Sequence, residues 1–324
     1  MKAIVYEKYG PPEVLQLREV EKPAPKENEL LVKVQAVSLN AYDWHMVMAK
    51  PFLVRTMGGG LLKPKSTTPG ADIAGVVEAV GSEVKQFKPG DEVFGEIGGS
   101  GNGGCAEYAV TVEKALALKP ANLSFAEAAA VPMAALTALQ GLRDEGQVQA
   151  GQRVVIQGAA GGVGTFAVQF AKLFGAEVTA VCSTRNLEQA KALGADHVID
   201  YTQEDFTQNG QQYDLILGVN GYHPLSAYKR ALAPQGKYVM AGGSNGQIFQ
   251  AMLLGSLMSG KGGKTLGGVS AKTRQKDLET IKELLEAGKI KPVIDRRYPL
   301  EQTAEALAYV YAGHARGKVV IEVA

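Results

Sequence analysis

The stretch VVIQGAAGGVGTFAVQFAKLFG, starting at Val154, has the composition and spacing of a diphosphate-binding turn. Ala159, Gly161 and Gly164 fill the positions of G-x-G-x-x-G, with alanine replacing the first glycine and Gly162 and Val163 lying between the other two. A strand, a glycine turn and a helix follow in that order. The missing side chains let the backbone approach a pyrophosphate, and the N–H groups opening the helix carry partial positive charge toward it. Without a ligand the pattern would be a Gly-rich strand-to-helix turn. The length of the unit and its flanking strands favour a dinucleotide site.

About 20 residues past the glycines, dinucleotide-binding chains that take NAD carry an acid for the ribose 2′-hydroxyl, whereas a nearby arginine suits a 2′-phosphate. Here Val181–Asn186 reads VCSTRN: Ser183, Thr184 and Arg185 with no carboxylate. Hydroxyls and a guanidinium fork suit a dianionic phosphate, which an acid would repel, so NADPH is expected over NADH. The plainer reading keeps Arg185 as a solvated charge and Asn186 as a helix cap. Asn220 in GVNG, and Gly242 and Gly243 in AGG, end two later strands at the carboxyl edge where open α/β sheets bind ligands.

Two textures position these residues. From Met1 to about Pro120, short alternating runs such as ELLVKVQAV and DIAGVVEAVG, broken by KPG and GGSGNGG, predict mostly antiparallel strands. From Ser124, SFAEAAAVPMAALTALQGL predicts one long apolar helix opened by a Ser124/Glu127 capping box. Strands and helices then alternate through GKYVMAGG, which implies a parallel sheet with right-handed crossovers. Two amphipathic helices and a closing strand, GKVVIEV, follow; that strand is expected to return to the first domain. The Gly-rich runs at 98–104 and 260–268 read as surface loops.

Length and composition bound the function. A chain of 324 residues has room for two domains. A formal charge of +1 with no long run of one sign suggests neither a nucleic-acid groove nor a membrane-binding face. No window approaches a transmembrane helix and the N-terminus has no apolar signal stretch, so a cytoplasmic protein is expected, without membrane insertion. Cys105 and Cys182 lack metal-type spacing.

Together PGADIAGVVEAVGSEVKQFKPGDEVFG, GGCAEYAV, LTALQGL, GAAGGVG, GADHVIDY and ARGKVVIEV resemble the medium-chain dehydrogenase/reductase superfamily, in its zinc-independent quinone oxidoreductase branch, over essentially the whole chain. The resemblance implies an α/β protein: a GroES-like β domain, 1–125 and 265–324, interrupted by a Rossmann doubly wound parallel sheet domain, 126–264. It implies that Asn40 and His45 of NAYDWH lie beside the nicotinamide, Thr137 near its carboxamide, and Tyr201 near the 2′-phosphate. Tyr201 could equally be a strand-end aromatic covering the sheet. His45 could donate a proton to the reduced acceptor or merely wall the pocket, with solvent as the proton source. Trp44 and Tyr42 read as packing residues, and Lys318 as a solvated lysine.

Zinc members of the superfamily carry a Gly-His-Glu run where this chain has Ala71 and Asp72, and a four-Cys lobe that two cysteines cannot build, so no metal is expected. The expected reaction is hydride transfer from NADPH to a small-molecule quinone or α,β-unsaturated carbonyl. The alternatives are an alkenal/enone reductase with incidental quinone activity and a non-catalytic NADPH-binding protein. An apolar pocket from PFLVRTM and AMLLGSLM would favour long-chain acceptors. A homodimer joined through the Rossmann sheets, with KTLGGVS as edge strand, also follows from the resemblance.

Overall fold

The computed structural model describes residues 1–56, 60–100, 103–243 and 263–323. It divides into two compact units, Met1–Ala134 with Thr273–Ala324, and Ala135–Lys272. The AMLLGSLM segment, and Met57 of PFLVRTM, lie outside the described residues.

The first unit is built on a seven-stranded, mainly antiparallel sheet. Its order is Ile294–Pro299, Lys318–Glu322, Glu29–Leu39, Asp72–Val80, Glu92–Glu96 and Leu116–Leu118, with Tyr108–Val112 also paired to Glu29–Leu39. Leu30, Val32, Val34 and Val37 of the central strand are buried with Ile73, Val93, Val319 and Ile321 in one apolar cluster. The closing strand therefore does return to the first sheet, pairing antiparallel with Glu29–Leu39.

The second unit is a six-stranded parallel sheet. Its order is His197–Asp200, Glu177–Cys182, Arg153–Gln157, Tyr213–Gly218, Leu232–Met240 and Thr265–Gly268. In chain order this is 3-2-1-4-5-6, the doubly wound arrangement, whose ligand crevice lies where the order reverses, between the first and fourth strands. Phe166 and Phe170 of the Gly162–Leu173 helix are fully buried. Among the described residues no helix is long and apolar enough to cross a membrane.

Three expectations change. The Ser124/Glu127 capping box forms, with reciprocal bonds of 2.9 and 3.3 Å, but the helix it opens ends at Ala129. A second helix starts at Pro132. Proline has no N–H to continue a helical ladder and is tolerated only in a first turn, so the apolar run splits there. The boundary expected at 125/126 moves because Phe125–Ala129 packs on the Glu29–Leu39 and Asp72–Val80 strands, keeping it in the first unit. The boundary expected at 264/265 moves because Thr265–Gly268, expected partly as loop, pairs in parallel with Lys237–Met240.

Candidate functional site

The glycine turn follows the first strand of the parallel sheet. Gly158, one residue before the motif, takes the left-handed φ of 83° that turns the chain; this is how Ala159 replaces the first glycine without strain. The other two glycines serve different ends. A Cβ on Gly164 would stand 2.1 Å from the Gly158 carbonyl oxygen, so Gly164 lets helix and turn touch. A Cβ on Gly161 would meet nothing closer than that oxygen at 3.8 Å. Gly161, Gly162 and Val163 are partly exposed at the start of the Gly162–Leu173 helix, whose first N–H groups have no acceptor in their own helix. An open cradle before unbonded N–H groups fits a diphosphate.

Across the switch point, Asn220 lies against this turn: a Cβ on Gly158 would be 3.1 Å from the Asn220 nitrogen. Gly242 donates to the Gly218 carbonyl at 3.1 Å, and a Cβ there would be 2.5 Å from the Val219 oxygen. Gly243 bridges to Gly221. These residues form one rim at the carboxyl ends of the strands. Thr137 is buried in the Pro132–Gln140 helix, 8% exposed.

The ribose edge differs from expectation. Parallel pairing sets Asp200 opposite Cys182, bringing to VCSTRN the carboxylate that stretch lacks. Asp200 accepts from the Thr184 hydroxyl, from Thr202 N–H at 3.0 Å and from the Thr202 hydroxyl at 2.7 Å. Those bonds, the Thr184 one first, hold its pKa below the usual carboxylate range. The Thr184 hydroxyl proton is thus directed at Asp200. Ser183 Oγ accepts from Asn186 at 3.1 Å, while Arg185 is exposed. Tyr201 is 49% exposed and donates its backbone N–H to Cys182 O at 3.1 Å, which sets its backbone at the same edge.

In the first unit, strand register gathers a buried polar cluster. Ser38 pairs opposite Asp72 and Val319 opposite Leu39, so Lys318 falls one step further on, opposite Asn40. Lys318, whose side chain is 3% exposed, lies 3.3 Å from Asp72, whose side chain is fully buried. It also donates to Asn40 Oδ1. The expectation of a solvated lysine is corrected: burial of an ion pair needs such partners. Asp72 accepts from four donors. Its Oδ1 accepts from Met133 N–H at 2.9 Å; its Oδ2 accepts from Asn40 Nδ2 at 2.9 Å, Ser38 Oγ at 3.1 Å and Lys318.

The side chains of Asn40 and His45 both have hydrogen-bond partners. The Asn40 amide N–H groups are directed at Asp72 and, at 3.4 Å, at Ser38 O. Asn40 is therefore held, not free to donate. His45 Nδ1 meets the Lys50 carbonyl, which can only accept, so in the neutral ring the proton sits on Nδ1 and Nε2 is an acceptor. Burial lowers the His45 pKa, favouring that neutral form. In that form Nε2 has no proton to give. Trp44 packs on its neighbour His45 and, with ring centroids 5.1 Å apart, on Tyr311, as a packing residue should.

Two further carboxylates, missed in the sequence, surround this cluster. Asp43 is 1% exposed and accepts from Asn40 N–H at 2.7 Å and Gly70 N–H at 3.0 Å. Burial pushes its pKa up to about 6 against those bonds. Glu96 accepts from Gly98 N–H at 2.7 Å and from the Thr273 hydroxyl. Burial, then the Asp72 charge, raises its pKa from 4.5 to about 7. The folded state then holds this proton more tightly than the unfolded chain. The resulting stabilisation is full below about pH 4.5 and is lost as the pH rises to about 7. Glu96→Gln keeps an acceptor for Gly98 and is expected to add on the order of 2 kcal/mol at about pH 8 and nothing at about pH 4. Denaturant unfolding at both pH values checks this.

A doubly wound sheet with a diphosphate turn, in a chain that also folds a separate antiparallel unit, defines a dinucleotide-binding protein of the two-domain dehydrogenase class. Residues 26–140 match the alcohol dehydrogenase GroES-like domain family, and residues 193–321 the family described as zinc-binding dehydrogenase. The chloroplast envelope quinone oxidoreductase homolog of Arabidopsis thaliana is 36% identical, covering 99% of this chain and 98% of that one. The NADPH-dependent alkenal/one oxidoreductase of the same plant is also 36% identical, over 99% of this chain and 79% of its own. The quinone oxidoreductase structure from Coxiella burnetii superposes with a TM-score of 0.90 at 31% identity, covering 100% and 99% of the two chains. The chain belongs to the medium-chain dehydrogenase/reductase superfamily, in its quinone oxidoreductase branch.

Proposed function

We propose that this protein is an NADPH-dependent oxidoreductase that reduces a quinone or an α,β-unsaturated carbonyl without a metal. The observation that carries the reading is the burial of Asp72 under four hydrogen-bond donors, at the position where zinc relatives place their Gly-His-Glu acid. Asp72 is fully buried and already accepts four hydrogen bonds, one from the Lys318 ammonium, which would repel a metal cation, and burial raises the pKa of the Cys105 thiol, so neither is an open ligand for zinc. With no Lewis acid, an acceptor that is already electron-poor is the one this chain can serve. A bound reduced nicotinamide supplies the hydride. The chain's own residues hold it: Gly161, Gly162, Val163 and Gly164 the diphosphate, Asn220, Gly242 and Gly243 the rim beyond, and Thr137 the carboxamide.

Asn40 and His45 shape the acceptor site in this reading, and solvent supplies the proton. Lys318 is added as the residue that holds Asn40 in one orientation. The names of the two Arabidopsis relatives support both acceptor classes, and an enone reductase with incidental quinone activity is the second reading. Two cysteines suit a reducing compartment such as the cytoplasm. Thr265–Gly268, last in its sheet, is the edge proposed to pair with a second copy.

Ser183 and Arg185 are the groups proposed for the 2′-phosphate, with Tyr201 beside them. NADPH is therefore expected to bind tighter than NADH by about ten-fold to a hundred-fold, the worth of a charge-assisted contact, and Arg185→Asp to narrow or invert the gap. Fluorescence titration of both cofactors decides it. Equal affinities in the unmodified protein would refute the phosphate role.

A further inference from the structure

Between Asp43 and Asp72 the sequence has no acid but four cations, Lys50, Arg55, Lys63 and Lys65. The same segment carries Phe52, Leu53, Leu61 and Leu62, which are 63%, 48%, 59% and 90% exposed, four of the ten exposed large hydrophobics among the described residues. A chain total of +1 hides this local asymmetry.

The two halves of the patch are tied together. Gly60 N–H donates to Arg55 O at 3.1 Å, and Tyr9 donates its hydroxyl to Gly60 O at 2.7 Å. The Arg55 guanidinium stacks between the Tyr9 ring, 4.6 Å away, and the Phe52 ring, 5.3 Å away. Gly60 takes a φ of 100°, and a Cβ there would stand 2.2 Å from the Lys63 oxygen and 3.2 Å from the Lys65 side chain, so the chain after it folds back tightly. Phe52 and Leu53 enter this knot, and Leu61 and Leu62 leave it. Lys50, Lys63 and Lys65 are exposed and form no ion pair with a described acid. The Tyr9–Val14 stretch behind them adds one acid, Glu13.

We infer that this patch docks the protein on the surface of a bilayer containing anionic phospholipid. Exposed leucine and phenylalanine interspersed with lysine is the composition of segments that lie in the headgroup boundary, where the apolar groups enter the acyl edge and the lysines meet phosphates. Protein interfaces, by contrast, are depleted of lysine at their cores. A mouth for a free long-chain acceptor would account for the apolar side chains but not for the cations. The inference is independent of the activity proposed above, since it concerns residence and not turnover.

Co-sedimentation of the full chain tests it, using vesicles of equal parts phosphatidylglycerol and phosphatidylcholine against vesicles of phosphatidylcholine alone. The protein is expected to pellet with the anionic vesicles and to be released by about 0.5 M salt, which screens surface charge beyond a few ångströms. Lys63→Glu with Lys65→Glu is expected to weaken the partition at least about ten-fold with an unchanged melting temperature. Leu61→Ser with Leu62→Ser is expected to weaken it also, separating insertion from charge. Failure to pellet, equal pelleting with neutral vesicles, or unchanged pelleting of the lysine variant overturns the inference. A change in solution mass of the patch variants without vesicle binding also overturns it, marking a contact between copies.

Discussion

Lys318→Met is expected to destabilise the protein by about 3 to 5 kcal/mol, the typical consequence of leaving one member of a buried ion pair alone. Asp72 would keep its neutral donors, Met133 N–H, Ser38 and Asn40, but lose its one cationic partner among the described residues. Asn40 Oδ1 would lose its donor at the same time. The double variant Lys318→Met, Asp72→Asn should recover more than half of that loss. With both charges gone, the Asn40 amide can turn its oxygen toward the amide introduced in place of the Asp72 carboxylate, restoring a neutral network. Lys318→Arg tests geometry separately from charge, because a planar fork does not occupy the place of an ammonium. Urea unfolding of the three variants provides the comparison. A single-variant loss below about 1 kcal/mol would place the pair among weak surface bridges and remove the case for Lys318 as the holder of Asn40.

Gly164→Ala and Gly161→Ala should separate folding from binding within one motif. At Gly164 the new Cβ would lie 2.1 Å from Gly158 O and 2.7 Å from the Ala159 carbonyl carbon, both backbone atoms that cannot step aside. The turn must move, at a cost of about 1 to 3 kcal/mol in stability. Cofactor affinity should fall about a hundred-fold or more, since the N–H groups then point elsewhere. At Gly161 the φ is −77° and the space is open, so alanine should leave stability within about 0.5 kcal/mol. It should still weaken cofactor binding about ten-fold or more, because its Cβ fills the approach of the diphosphate. Thermal unfolding paired with cofactor titration reads both effects. Equal stability losses in the two variants would mean that the two glycines share one structural task.

What the sequence disclosed follows from how local the determining interactions are. The Ser124/Glu127 cap and the diphosphate turn each lie within a few consecutive residues, so residue types at short spacing sufficed. The alternation of strands and helices past Val148 was local in the same sense. Asp200 was invisible beside VCSTRN because its place depends on which residue of the neighbouring strand Cys182 faces. Lys318 is 278 residues from Asn40 and 246 from Asp72; only the register of two antiparallel pairings brings it there. Pro132 was a local signal that the continuous apolar run outweighed. The commitments of Asn40 and His45 depend on hydrogen-bond partners, which composition does not encode.

The most direct measurement is the initial rate of pyridine nucleotide oxidation by chelator-dialysed protein, with NADPH and NADH, across matched quinones and enones. Elemental analysis of the same sample for zinc completes it. Acceptor-dependent oxidation that prefers NADPH is expected, supported by at least one of the two acceptor classes and unchanged by chelation. Stoichiometric zinc removed together with activity would contradict the metal-free assignment, and NADPH binding without oxidation by any acceptor would contradict catalysis itself.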